Sequence, residues 1–237
     1  MSPRVVRART VFFNLDGTLI DSTAGVEGAW KEFQKTYPQI DATNVLGSSH
    51  GLRTIENLRN HCGIEDPELL ASEAERFEKA IVTSAGAGGG PGVAYLPGVE
   101  EAMSVLSDHP SVSEPYWAIC TSSTQAYSLE VLGNLSLPIP AVLVSSEKVE
   151  RGKPFPDPYL EAVRLCGVAS CNCVAIEDSP NGIRSAQAAG CQTIGLVTTH
   201  TRGQIEAVNP DWIIQDLSKV TFAITDSSVE ITFEEEA

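Results

Sequence analysis

The six cysteines (Cys62, Cys120, Cys166, Cys171, Cys173, Cys191) form no C-x-x-C pair, and no second Cys or His pair accompanies Cys171 and Cys173. The common zinc and dithiol signatures are therefore excluded, and reduced structural thiols remain. No apolar run approaches the ~18 residues of a membrane span. The N-terminal Arg4, Arg7 and Arg9 precede no apolar secretory core. A cytoplasmic protein without a membrane partner is expected. Basic residues are scarce, 16 against 31 acidic ones, for a net charge of −15. That balance argues against a nucleic-acid partner. It leaves room for a phosphorylated small molecule, because a few local cations and a metal can hold phosphate inside an acidic protein. No internal repeat is apparent, and a monomer is expected.

What is present is a chain of 237 residues, 42% hydrophobic and 20% charged, long enough to bury a sizeable core. Thr10 to Leu15 is a β-branched and aromatic run that predicts a short buried strand. Between about Gly25 and Val82 strand-like runs give way to apolar residues at i, i+3, such as Trp30/Phe33 and Ile55/Leu58. Asp66-Pro67-Glu68 has the chemistry of a helix start: an N-cap acid, Pro at the first helical position, and acid in the first turn. The insert closes at a glycine-rich stretch, Ser84 to Gly92, which reads as a plain linker or as the hinge of a lid. After Pro97-Gly98 strands and helices alternate. Strands are expected over 116–121, 141–145, 174–176, 193–197 and 212–214, and helices over 100–106, 128–132 and from Asp157-Pro158 and Ser179-Pro180. Val229, Ile231 and Phe233 alternate as a last edge strand would. This pattern predicts an α/β fold, a parallel sheet with helices on both faces.

Four polar clusters fall at ends of the expected strands. In Asn14-Leu15-Asp16-Gly17-Thr18, strand alternation puts Asn14 and Asp16 on one side at the carboxyl end, where open α/β sheets bind ligands. Thr121-Ser122-Ser123-Thr124 precedes a helix, so its hydroxyls and backbone N–H groups suit an anion, or simply cap the helix. Lys153 is fixed between Gly152 and Pro154, which would aim its ammonium, although an isolated lysine is ordinarily a surface residue. Glu177-Asp178 ends a buried run. The pair could cap the next helix, but two adjacent acids repel each other, and a hard, oxygen-loving cation would relieve that.

In this order and spacing the clusters resemble the four motifs of the haloacid dehalogenase (HAD) superfamily of phosphohydrolases, over essentially the whole chain. Ser49-His50-Gly51-Leu52-Arg53-Thr54, Gly152-Lys153-Pro154-Phe155-Pro156-Asp157-Pro158-Tyr159-Leu160 and Glu177-Asp178-Ser179-Pro180-Asn181-Gly182-Ile183 are similar to the fungal 2-deoxyglucose-6-phosphate and glycerol phosphatases. The resemblance implies a Rossmannoid core, residues 1–22 and 93–237, with an all-helical cap, 23–92, inserted after the first motif. It implies a nucleophile at position 14 that becomes an aspartyl-phosphate, and Asp16 as general acid and base. Thr121, Ser122 and Lys153 would hold the phosphoryl group, and His50, Arg53 and Asn181 would contact the rest of a sugar or polyol phosphate. Magnesium would be bound by the side chain at position 14, Asp16 and Asp178, with Glu177 supporting.

The family pattern has Asp where this chain has Asn14. The amide is nearly isosteric but a very poor nucleophile, so the covalent step is expected to fail. The remaining motifs are intact, which favours an introduced Asp→Asn substitution over a natural pseudophosphatase that only binds phospho-ligands. A terpenyl or other apolar phosphate is an alternative substrate, with Trp30, Phe33 and Tyr37 as lining. A phosphomutase would need a second basic cluster in the cap beyond Arg53 and Arg59. A dehalogenase is disfavoured, because the paired acids imply a cation that carbon–halogen hydrolysis does not need.

Overall fold

Runs of Val, Ile, Phe and Trp form the strands of the protein, and these runs sit at its centre. In the computed structural model, which describes residues 3–41, 45, 51–84, 92–107, 115–225 and 227–234, Thr10–Phe13 is buried at every position. Numbered along the chain, the strands are β1 (Arg4–Ala8), β2 (Thr10–Phe13), β3 (Ile20–Asp21), β4 (Ala94–Tyr95), β5 (Trp117–Cys120), β6 (Leu143–Val144), β7 (Cys173–Glu177), β8 (Gln192–Leu196), β9 (Trp212–Ile214), β10 (Thr221–Ile224) and β11 (Val229–Phe233). The helices are α1 (Thr23–Thr36), α2 (Thr54–Cys62), α3 (Pro67–Thr83), α4 (Val99–Ser107), α5 (Gln125–Asn134), α6 (Asp157–Cys166), α7 (Pro180–Ala188) and the short α8 (Arg202–Glu206).

Six strands form one parallel sheet in the order β6-β5-β2-β7-β8-β9. Because side chains alternate across a strand, each face needs its own cover. Phe12, Ala118, Cys120 and Ala175 pack with Tyr159 and Ala162 of α6 and Ala186 of α7. Val11, Phe13, Ile119 and Ile176 join the larger core with Met103 and Leu106 of α4 and Val131 of α5. The expected α/β architecture is borne out.

The alternation at Val229, Ile231 and Phe233 marks a real strand, but not one of the main sheet. β11 is the middle of a separate antiparallel sheet, β1-β11-β10. A period-2 pattern specifies a half-buried strand and is silent about its partner.

The chain leaves the main sheet through β3 and returns through β4, and these two short strands pair antiparallel, Ile20 opposite Tyr95 and Asp21 opposite Ala94. Between them α1, α2 and α3 bury a shared aromatic centre, with Trp30 4.5 Å and Phe33 5.0 Å from Phe77 between ring centroids. Asp66 caps α3 as its sequence suggests, accepting from Leu69 N at 2.8 Å. Residues 85–91 of the glycine-rich stretch, and His50, lie outside the described residues.

Phe13 is fully buried and meets Trp117 and Phe222 at 6.5 and 6.0 Å. Phe13→Ala is expected to destabilise the protein by about 3–5 kcal/mol, read as a lower urea midpoint with the slope unchanged.

Candidate active site

The first motif turns sharply as it leaves β2. Asn14 N still donates to Ile176 O of β7 at 3.1 Å, and then the N–H groups of Thr18, Leu19 and Ile20 all converge on Leu15 O. Gly17 has φ +80°, and a Cβ there would lie 2.2 Å from Asp178 Oδ2, so both the backbone and the space require glycine. This turn brings Asn14, Asp16 and Thr18 to the carboxyl end of the sheet.

Asn14 is the centre of the polar network. Lys153 Nζ donates to its Oδ1 at 2.9 Å, while its Nδ2 donates to Asp178 Oδ1 at 2.9 Å and to Asp16 O at 2.8 Å. Lys153 is buried, and its ammonium also donates to Cys120 O at 2.9 Å and to Glu177 Oε1 at 2.5 Å. Glu177 accepts further from Tyr159 Oη at 2.7 Å, and the first turn of α7 passes so close that a Cβ on Gly182 would touch its carboxylate. Burial pushes the Glu177 carboxyl above its usual range, against the pull of Lys153. Asp178 Oδ1 also accepts from Thr18 at 3.0 Å, and its Oδ2 accepts from Thr199. Glu177 thus faces Lys153 and Tyr159, and Asp178 faces the loop of the first motif.

The Asp16 carboxylate points away from this centre. Tyr127 Oη donates to Oδ1 at 2.7 Å and Ser123 Oγ to Oδ2 at 2.9 Å. Burial and the neighbouring Asp16 charge raise the Tyr127 phenol well above its usual range, so it stays a donor. Thr121 follows β5 and accepts from Ser123 N at 3.0 Å, and Ser122 Oγ reaches Gly51 O of the helical insert at 3.0 Å. A cavity of about 80 Å³ lies between the insert and the sheet, with Asn14, Asp16, Thr121 and Ser122 on one side and Trp30 and Phe77 on the other. Of the aromatic residues suggested as a lining, Trp30 borders this cavity and Phe33 and Tyr37 do not.

Arg53 does not border it either. It pairs with Glu56 at 2.6 Å and donates to Glu150 O at 3.1 Å, and it packs so closely on Gly152 that a Cβ there would be 2.8 Å from its Nε. Asn181 is half-buried on α7 beside Gly51. Among the described residues no group of three or more His, Cys, Asp or Glu side chains is arranged to hold a metal. A cation here would therefore draw on a backbone carbonyl and on position 14.

Tyr127, Ser123, Tyr159 and Thr199 are site residues that the motifs did not single out. Ser123 lies inside the quoted hydroxyl cluster and could have been chosen from it. Tyr159 lies inside the Gly152–Leu160 motif, which by itself gave it no role, and Tyr127 and Thr199 carry no local signal, because what they touch is set by the packing of separate elements. Glu78 belongs with them. It is buried in α3, where it accepts from Thr54 Oγ1 at 2.8 Å, from Thr124 N at 3.1 Å and from the Thr124 hydroxyl. It thus ties the insert to the start of α5.

The chain matches the haloacid dehalogenase-like hydrolase family over residues 8–190. It belongs to that family. As the motifs predict, it is by kinship a phosphoric monoester hydrolase. Hexitol phosphatase A of Escherichia coli (strain K12) is 33% identical, with 91% of this chain and 94% of that protein aligned. Glycerol-1-phosphate phosphohydrolase 2 of Saccharomyces cerevisiae (strain ATCC 204508 / S288c) is 27% identical over 90% of this chain and 84% of its own. Among solved structures, CbbY from Rhodobacter sphaeroides in complex with phosphate shares the fold, with a TM-score of 0.74, 20% identity, and 90% and 96% of the two chains covered.

Burial raises the Glu78 carboxyl from 4.5 to about 7, more than its hydroxyl and N–H donors lower it. The folded state therefore holds a proton that the unfolded chain has released. Stability is expected to fall as pH climbs from about 4.5 to about 7, by an amount on the order of 3 kcal/mol, and then to level off. Melting temperatures of Glu78→Gln across the same pH range should show a shallower decline than the parent.

Proposed function

We propose that this protein is a phosphatase for a small sugar or polyol phosphate, with its first chemical step disabled at position 14. One observation carries the reading. Asn14 and a doubly hydrogen-bonded Asp16 border the same cavity, beside the hydroxyl loop after β5. Kinship to phosphatases named for a hexitol and for glycerol-1-phosphate supports the substrate class. A helical cap over residues 23–92 would close on such a substrate and exclude water.

With a carboxylate at position 14, one of its oxygens attacks phosphorus as the ester P–O bond breaks, and the departing alkoxide takes the proton of Asp16. Water then attacks phosphorus and gives its proton back to Asp16, releasing phosphate and the carboxylate. Tyr127 and Ser123 hold the Asp16 carboxylate in the present arrangement, and for both transfers it would turn from them toward position 14. Thr121, Ser122 and Lys153 would receive the phosphoryl oxygens. Asp178, the Asp16 carbonyl and the side chain at position 14 offer oxygen ligands of the kind magnesium takes, and the ion would offset the negative charge gathered there. In the present chain the Asn14 amide forms no such bond to phosphorus, because its nitrogen lone pair is delocalised and its oxygen is a weak nucleophile.

Asn14→Asp is expected to raise turnover of phosphate monoesters by about 10⁴ or more in the presence of magnesium. Assay against sugar, polyol, nucleotide and prenyl phosphates should favour the first two. A revertant inert across the whole panel would sink the reading, and a flat profile would sink the substrate preference.

A further inference from the structure

The two faces of the Asn14 amide are not interchangeable. An ammonium can only donate, so the atom facing Lys153 Nζ at 2.9 Å must be the amide oxygen. A carboxylate and a carbonyl can only accept, so the atom lying 2.9 Å from Asp178 Oδ1 and 2.8 Å from Asp16 O must be the NH₂. Both N–H bonds of the amide are used, and the residue is buried, 6% exposed where it borders the cavity. The nitrogen therefore stands where two oxygens converge, in the role a cation would take.

We infer that the Asn14 amide is a built-in substitute for the metal: it holds Asp178 and the Asp16 carbonyl together without an ion and closes the centre to divalent cations. The inference rests on the reading of position 14 as the heart of a phosphoryl-transfer site, and it adds a binding property to that reading. To admit a cation, the amide would have to turn over. Its NH₂ would then face the Lys153 ammonium, donor against donor, while Lys153 remained tied to Cys120 O and Glu177. An aspartate in the same place keeps the contact with Lys153 but sets a second anionic oxygen against Asp178 Oδ1 and the Asp16 carbonyl. That arrangement needs a cation, whereas the amide arrangement does not. With one amide N–H and the hydroxyls of Thr18 and Thr199 donating to it, the Asp178 carboxylate is satisfied without a cation.

The test compares the parent chain with Asn14→Asp and Asn14→Ala, in chelator and in millimolar magnesium, by calorimetric titration of magnesium and by thermal melting. No substrate is present. The parent should bind magnesium at least ~100-fold more weakly than Asn14→Asp, since losing a direct ligand exceeds the 10- to 100-fold effect of disturbing its neighbours. Its melting temperature should be the same in both buffers. Asn14→Asp should melt below the parent in chelator and recover in magnesium. Asn14→Ala, which removes the bridging N–H pair without adding charge, should melt below the parent in chelator and supplies the comparison if the aspartate form does not fold there. The side-chain amide ¹⁵N–¹H pair that disappears in Asn14→Asp should be unmoved by magnesium in the parent. Equal magnesium affinity or equal thermal response in parent and Asn14→Asp would overturn the inference, as would a revertant that also ignores magnesium. Turnover decides the phosphatase reading separately: a revertant that binds magnesium and hydrolyses nothing would defeat that reading while leaving the amide substitution standing.

Discussion

A buried ammonium among buried carboxylates is the constraint on which the rest of this structure depends. Lys153, Glu177 and Asp178 are all but inaccessible to water, and unpaired charges in such a place cost far more than any single packing contact returns. The fold meets this by bringing the ends of β2, β5 and β7 to one point. Asn14 comes directly after β2, the Cys120 carbonyl from β5, and Glu177 and Asp178 from β7 and the residue after it. Parallel strands make this possible, because their carboxyl ends all open on the same edge. The hydrophobic sheet therefore serves chemistry by fixing where its strands stop.

The second layer of the design couples this edge to the helical insert. Glu78 reaches from α3 to the first turn of α5, Ser122 reaches back to Gly51, and Arg53 lies across Gly152 beside Lys153. Each contact joins the insert to a residue adjacent to a motif. Position of the insert and geometry of the hydroxyl loop are consequently linked, and the linking carboxylate of Glu78 is buried, where one lost partner is felt strongly. The paired β3 and β4 form the narrow connection through which the insert joins the core.

Much of this was legible in the residues. The alternating strands and helices, the N-cap at Asp66, the glycine turn after Asp16 and the ordered motifs Asn14/Asp16, Thr121, Lys153 and Glu177-Asp178 are local signals, and they announce both an α/β sheet and a phosphoryl-transfer family. Tyr127, Thr199 and Glu78 were not legible, and Tyr159 was visible only as a member of a motif, without its contact to Glu177. Each acts across a long separation in the chain, 111 residues from Tyr127 to Asp16 and 46 from Glu78 to Thr124. A tyrosine on an amphipathic helix looks like core, and here it is both core and hydrogen-bond donor. The strand at Val229–Phe233 was visible as a strand, but its pairing with Arg4–Ala8 at the opposite end of the chain was not.

What the sequence by itself determined is the chemical cast: an amide at the end of a buried strand, an acid two residues on, a lysine held by glycine and proline, and two acids at the end of another buried strand. Those follow from residue identity and short-range spacing. Only the tertiary structure decided how the amide is turned, because that depends on an ammonium from residue 153 on one side and a carboxylate from residue 178 on the other. The physical reason is that donors and acceptors specify orientation only once they are within hydrogen-bonding distance, and distance across the chain is something folding alone supplies.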